Sequence, residues 1–256
     1  NYIFNVDINN KYDILKHISE YRSIIHLAAV DDRTYHSKNF IFSNRINIEG
    51  TLNIISQLRK DQQIIYLSSN MVYGEARYLP IDENHPTMAN EPYALSKLIS
   101  ESYIKSYSLN KNFNYKIIRN FNTFGPGQST NSLIPSLILE GRKKNSIEVW
   151  SPETIRDFQY IDMCSENIIS ICTNKKIKNE IINLGTGNKI YMKDFAKIIC
   201  TIMGCKLEII SKKNPISFQN YANIYKLKKI LGNDFCETNL TKSLEKTIDY
   251  YKEIIL

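Results

Sequence analysis

Tyr93 and Lys97 stand four residues apart in EPYALSKLISESY, residues 91–103. On a helix that spacing projects both side chains from one face. Asn90 and Pro92 supply start signals for such a helix, a capping amide and a proline in the first turn. A phenol ionises near pH 10 and is a poor base at neutrality, with its pKa at about 10. Lowering that value by about 3 units takes roughly 4 kcal/mol of preferential phenolate stabilisation. An ammonium at residue 97, the positive end of the helix and a cationic ligand ring are the sources available. The pair reads either as a proton-transfer site or as a chance surface pair, and the spacing alone does not separate them.

The stretch QIIYLSSNMVYG, residues 63–74, adds a third group. Its apolar run ends in Ser68 and Ser69, the latter 24 positions before Tyr93 (93 minus 69). Hydroxyls at the carboxyl end of a parallel strand face the crevice where ligands bind. A hydroxyl at Ser69 would there be placed to hydrogen-bond a substrate hydroxyl whose proton Tyr93 would remove. The plainer alternative is a pair of serines finishing a strand and starting a turn.

Such groups need a scaffold, and the hydrophobic pattern supplies one. YIFNV (2–6), SIIHLAA (23–29), QIIYLSS (63–69), YKIIRNF (115–121) and EIINLG (180–185) read as buried parallel strands. Helical stretches lie between them, near 10–20, 44–60, 92–110 and 161–173. The alternation predicts an α/β fold with a doubly wound parallel sheet. Beyond residue 185 the rhythm loosens, with helices near 191–204, 223–231 and 240–254, as in a smaller mixed α/β lobe. A dinucleotide-binding sheet opens with a strand, a glycine-rich turn and a helix that cradles pyrophosphate. No such turn follows Asn1; GTGNKI (185–190) comes late, lacks the third glycine and reads as a strand-end turn.

Composition narrows the classes further. The 256 residues are 43% hydrophobic and 23% charged, which suits a globular chain with a substantial core. No apolar run reaches the roughly 18 residues that span a bilayer, and no signal peptide opens the sequence, so no membrane partner is expected. Five cysteines, at 164, 172, 200, 205 and 236, show no metal-ligand spacing. They read as reduced thiols of a cytoplasmic protein, with no metal, and the Asn239-Leu240-Thr241 sequon carries little weight. The net charge of +7 comes from scattered lysines, in short groups at 175–178, 212–213 and 226–229. Without interleaved aromatics they predict a solvated surface rather than nucleic-acid binding, and they suit a small diphosphate-bearing substrate.

With these segments in order, the chain resembles the extended short-chain dehydrogenase/reductases, the NAD-dependent epimerase/dehydratase family that modifies nucleotide sugars. SSNMVYG and YALSK resemble the family's catalytic segments, which makes Ser69, Tyr93 and Lys97 the implied catalytic residues. NVDI (5–8) resembles the strand end that holds the adenine, here Asp7 and Ile8. HLAA (26–29) resembles the strand end along the cofactor, here Leu27, Ala28 and Ala29. NIEGT (47–51) resembles the helix segment whose Asn47 supports the site. RNFNTFGPG (119–127) and RDFQYID (156–162) resemble the segments whose Asn122 and Arg156 touch the sugar diphosphate; INLGTG (182–187) is a further landmark. An ordinary ion pair with Asp157 is the alternative for Arg156, and a turn-forming role the alternative for Asn122. Trp150, at the end of SIEVW, lines a nucleotide pocket or fills the core.

The resemblance implies a cofactor, NAD or alternatively NADP, and a homodimer packed through helices 44–60 and 92–110. It implies a Rossmann-like domain over 1–121 and about 156–185, and a discontinuous substrate lobe over 122–256. Family dehydratases place an acid pair just after the catalytic Ser/Thr, and the decarboxylases keep a Glu there. Asn70 and Met71 stand at those positions and exchange no protons near neutral pH. Return of the hydride needs no further acid, so the expected activity is epimerisation, at C4 first, through a transient 4-keto sugar. A 4-ketoreductase is the alternative. The missing glycine turn keeps a third reading open, a non-catalytic remnant that binds or scaffolds. Against it, a buried sheet lacking its central strand exposes unpaired backbone groups; the expectation is that the native protein holds the missing portion. The stretch 212–232 departs most from the family pattern, leaving the base and the far phosphate open.

Overall fold

The computed structural model describes residues 5–210, 219–237 and 239–254. In chain order the elements are α1 (Lys11–Ile18), β1 (Ser23–His26), α2 (Arg33–Lys38), α3 (Phe40–Asn44), α4 (Gly50–Gln57), β2 (Gln63–Ser69), α5 (Pro92–Lys111) and β3 (Asn114–Asn120). They continue with β4 (Asn122–Phe124), α6 (Leu133–Lys144), β5 (Ser146–Val149), β6 (Ile155–Arg156), β7 (Phe158–Tyr160), α7 (Ile161–Thr173) and β8 (Glu180–Leu184). The last are β9 (Ile190–Tyr191), α8 (Met192–Met203), β10 (Lys206–Ile209), β11 (Gln219–Asn220), α9 (Tyr225–Leu231) and α10 (Leu240–Ile254). The chain divides into two units: residues 1–74, 83–120 and 169–183, and residues 75–82, 121–168 and 184–256.

The first unit is built on a sheet in the order β1-β2-β3-β8, with β1, β2 and β3 parallel. Both faces of such a sheet are covered, so its strands carry apolar residues throughout. Ile64, Ile65, Tyr66, Ile117 and Ile118 are buried accordingly. α4 and α5 supply Ile54, Ile55, Leu58 and Ile104 to this core, and α1 supplies Ile14. α5 begins with Pro92 at its first position, where a missing N–H costs nothing. It ends at Asn112, whose φ of 58° makes the left-handed cap.

Three expectations are corrected here, and a fourth falls mostly outside the described residues. Residues 2–4 of YIFNV lie outside them, and 5–6 are irregular. The SIIHLAA strand stops at His26. Asn90 does not cap α5; Glu91 holds that place without a side-chain cap and pairs with Arg33 at 3.2 Å. The stretch 44–60 is not one helix. A wide turn with i→i+5 bonding, Arg45–Glu49, separates α3 from α4 and places Asn47 at its centre.

The second unit holds the rest of the β-structure in small sheets: β10 beside β5, β4 beside β7, and β11-β6-β9. Its core joins α6, α8 and α10 through Ile138, Phe195, Ile199, Leu244 and Ile248. Phe195 stacks on Phe158 at 4.1 Å between ring centres. Trp150 is about half exposed, so it does not fill this core. No described helix is long and apolar enough to cross a membrane.

Candidate active site

β2 ends in Ser69, whose hydroxyl accepts the Met71 N–H at 3.2 Å and starts the tight turn Asn70–Tyr73. That turn closes at Gly74, with φ of 67°, where a Cβ would stand 2.2 Å from the Met88 carbonyl oxygen. Only glycine tolerates both conditions. The strand end is thereby folded back; the Ser69 hydroxyl donates to the Asn70 Oδ1 at 3.4 Å, and its side chain lies close enough to Tyr93 to draw the phenol's pKa down.

Tyr93 lies in the first turn of α5, half-buried, with Lys97 one turn on and 4% exposed. The Lys97 Nζ donates to the Leu67 carbonyl at 2.9 Å. It lies 5.9 Å from the Tyr93 ring centre and 5.0 Å from that of Tyr66. Burial lowers the Lys97 pKa to about 8, against the charges of Asp31 and Glu101. Burial pushes the Tyr93 phenol up to about 12, with Asp31 adding to the rise. Ser69 and Arg33 pull it down, and they lose. The lowering expected from the sequence included the charge of a cationic ligand ring, and the chain alone does not supply it. Around a half-buried phenol the protein's own cations are too few to offset desolvation, so a lowered value requires charge from a ligand.

Asn47 braces the same corner. Its Oδ1 accepts the Val30 N–H at 2.7 Å, and its Nδ2 donates to the Val30 carbonyl at 3.1 Å and the Ser96 hydroxyl at 3.0 Å. Ser96 donates in turn to the Tyr93 carbonyl at 2.7 Å. The wide turn disturbs the helical ladder, and the Asn47 carbonyl takes hydroxyls instead, from Thr51 and Ser100. Val30 follows Leu27, Ala28 and Ala29, which leave β1 with Leu27 and Ala28 exposed. Asp7 makes its own turn by accepting from Asn9, and Ile8 meets α4 through its carbonyl and Asn53.

Asn122 and Arg156 belong to the second unit, where they meet. The Arg156 guanidinium reaches the Asn122 Oδ1 at 3.5 Å, and the Asn122 Nδ2 donates to the Asp157 carbonyl at 2.9 Å. The alternative reading of Arg156, an ion pair with Asp157, is corrected by where that carboxylate points. It accepts from the N–H groups of Thr186, Gly187 and Ala222 and from the Thr186 hydroxyl. Burial raises its pKa, and those hydrogen bonds oppose the rise. Among the described residues no cluster of His, Cys, Asp or Glu is arranged to hold a metal.

A family profile described as the NAD dependent epimerase/dehydratase family matches residues 2–185. The chain belongs to that family. A putative UDP-glucose 4-epimerase of Methanocaldococcus jannaschii is 30% identical over 258 residues, spanning 97% of this chain and 83% of its own. A GDP-6-deoxy-D-talose 4-dehydrogenase of Aggregatibacter actinomycetemcomitans is 28% identical over 91% of this chain and 80% of its own. Among solved structures, the UDP-glucuronic acid 4-epimerase of Bacillus cereus, complexed with UDP-glucuronic acid and NAD, superposes with a TM-score of 0.86. It is 26% identical, covering 97% of this chain and 81% of that one. RMD from Pseudomonas aeruginosa, complexed with NADPH, superposes at 0.89 with 22% identity over 98% and 87% of the two chains. That last likeness concerns the fold.

In this NAD-dependent family the residues present must suit a dinucleotide, and in the first unit they do. The Lys97 ammonium has three donors and, among the described residues, one acceptor, so it can still serve ribose hydroxyls. The exposed Leu27 and Ala28 leave an apolar strand end open to a planar ring. A glycine cradle for the pyrophosphate is not part of this sequence.

The sequence reading missed three charged groups. Asp31 acts on both Tyr93 and Lys97. Glu101 and Arg119 form a fully buried pair beside them. Glu101 had a signal, since it continues the four-residue spacing of Tyr93 and Lys97. Arg119 is brought in by strand pairing, which no local pattern reveals.

Proposed function

We propose that the protein is an NAD-dependent nucleotide-sugar epimerase that inverts C4 through a transient 4-keto sugar. The observation that carries this is the placing of Ser69 and Lys97 at Tyr93, with Ser69 drawing the phenol's pKa down and the Lys97 Nζ 5.9 Å from the ring centre, and with Asn70 and Met71 in place of carboxylic acids. Ser69 holds the sugar hydroxyl, and Tyr93 takes its proton. Lys97 stabilises, through its charge, the phenolate that receives this proton, and it binds the nicotinamide ribose. NAD, when bound, would supply the hydride acceptor for this oxidation and the hydride for its reversal. Asn47 keeps the Val30 loop and the start of α5 in fixed relation. Asp7, Ile8, Leu27, Ala28 and Ala29 hold the cofactor in the first unit. In the second unit Asn122 and Arg156 hold the sugar diphosphate, for which a guanidinium fork is geometrically suited.

Incubation with UDP- and GDP-sugars, followed by NMR, tests the reading. A C4 epimer formed with no net change in NAD(H) supports it. Product lacking water or CO₂ rejects it, and consumption of NAD(P)H equal to product identifies a 4-ketoreductase. The ketoreductase reading has support in a related GDP-6-deoxy-D-mannose reductase of Pseudomonas aeruginosa, 27% identical over 73% of this chain. Replacing Arg156 with Leu is expected to raise KM about tenfold or more, the scale of one charge-assisted contact, with little change in kcat.

A homodimer completes the proposal. Phe40, Ile41 and Phe42 of α3 and Leu95 and Tyr103 of α5 are exposed, and α3 and α5 line a groove of about 330 Å³. The apolar residues Ile54, Ile55 and Leu58 belong to the core, so the dimer face is carried by α3 and α5. Light scattering is expected to give twice the chain mass, and Leu95→Arg to give the single mass.

A further inference from the structure

Three consecutive residues at the end of β2 have three different partners on α5. The Leu67 carbonyl accepts from Lys97, the Ser68 hydroxyl donates to the Glu101 Oε1 at 2.5 Å, and the Ser69 side chain lies close enough to Tyr93 to draw its pKa down. Glu101 has no exposed surface, and Arg119 of β3 grips it with two bonds, Nε to Oε1 at 3.1 Å and Nη2 to Oε2 at 2.8 Å. Arg119 is the register partner of Ser68 across the β2–β3 ladder. Its guanidinium carbon lies 4.7 Å from the Tyr73 ring centre, at the far side of the turn that folds Ser69 back. The Tyr73 hydroxyl donates to Asn183 at 2.6 Å, and the Asn183 N–H donates to Glu83 at 2.8 Å. Burial alone would lower the Arg119 pKa, but its contacts with Glu101, and behind them Tyr73, more than reverse it, so the guanidinium keeps its charge.

We propose that Glu101, gripped by Arg119, is a positioning residue that ties α5 to the end of β2, so that Ser69 and Lys97 both meet Tyr93. The proposal rests on the catalytic reading of those three residues. Stability alone gives the pair little reason to exist. Replacing a buried ion pair by apolar groups of similar volume is often neutral or stabilising, because desolvation offsets the attraction. Register is different: a bidentate fork fixes angle as well as distance, and here it joins the helix carrying the base to the strand carrying the hydroxyl. A misplacement of about 1 Å at a reacting centre costs on the order of a hundredfold in rate.

The test uses the full chain and the double variant Glu101→Leu with Arg119→Met, in which no charge is left unpaired, beside the single variant Glu101→Gln. Melting temperature is compared with the rate at which acetic anhydride modifies Lys97 at pH 8.5, read by peptide mass spectrometry. The double variant is expected to melt at or above the wild type. Its Lys97 is expected to be modified about tenfold faster, the ratio that roughly 1.4 kcal/mol of lost restraint produces, and its kcat to fall with KM nearly unchanged. Glu101→Gln strands the Arg119 charge and is expected to melt lower. A double variant with wild-type Lys97 reactivity and kcat overturns the proposal, as does one that fails to fold, which makes the pair structural. Melting and labelling need no sugar. A wild type that forms no epimer therefore rejects the activity reading while leaving this test standing.

Discussion

Tyr93→Phe is expected to cut nucleotide-sugar turnover by about 10²–10⁴-fold, the range for a positioned acid–base group. The expectation follows from what the substitution leaves in place. The phenyl ring keeps the edge contact with His36, 6.1 Å between centres, and the proximity to Lys97. Ser69 keeps the Met71 N–H that orients it. Only the ionisable oxygen is lost, so melting temperature and affinity for NAD should change little. The wild-type pH profile carries a second sign. Burial raises the phenol in the protein alone and the cationic ring of a bound cofactor would draw it down again, so turnover should rise with pH as the phenol ionises, until Lys97, at about 8 in the protein alone, loses its proton. The rising limb belongs to the phenol. In Tyr93→Phe the residual rate should lack it. A variant that retains wild-type turnover would place the proton acceptor elsewhere and remove the basis for epimerisation at this site.

Long periodic segments were legible from sequence because burial on both faces of a parallel sheet leaves no choice of residue. QIIYLSS coincides with β2, and the helix read over 161–173 coincides with α7. YKIIRNF is one residue out of register with β3. The short strands β4, β6, β7, β9 and β11 were not legible. Two or three residues hold no period, and what fixes them is pairing with distant segments, as Asn122 pairs with Phe158. The break in 44–60 was hidden for another reason. The apolar spacing continues through Arg45–Glu49, while the wide turn depends on hydroxyls of Thr51 and Ser100 reaching one carbonyl. At the site, local spacing located Tyr93 and Lys97, whereas their charge environment comes from Asp31, Arg33 and Glu101, which the chain between β1 and α2, α2 itself and α5 bring together. The rise of the Tyr93 pKa in the chain alone was not legible for that reason: desolvation is a property of the packed site.

Lys97 offers the opposite trade between function and stability. Its pKa of about 8 in the folded chain lies below the 10.5 of an ordinary lysine, chiefly because burial penalises the ammonium. The unfolded chain therefore holds this proton more tightly than the folded one, and the penalty is fully present below pH 8. It fades as pH rises from 8 towards 10.5, where both states are neutral. A gap of about 2.5 units corresponds to roughly 3 kcal/mol at neutral pH. Lys97→Met fills similar volume without the charge, so at pH 7 it should stabilise the chain by up to about 3 kcal/mol, less the donor that the Leu67 carbonyl loses. The same variant should lose turnover by about 10²-fold or more, since nothing then opposes protonation of the phenolate. Urea unfolding of both proteins at pH 7, 9 and 10.5 reads the effect directly. The advantage of the variant should be greatest at pH 7 and nearly gone at 10.5. A difference that stays constant with pH would mean that the Lys97 ammonium carries no desolvation penalty in the folded chain. The same cation would then be equally comfortable beside a neutral phenol, and its claim to activate Tyr93 would fail with it.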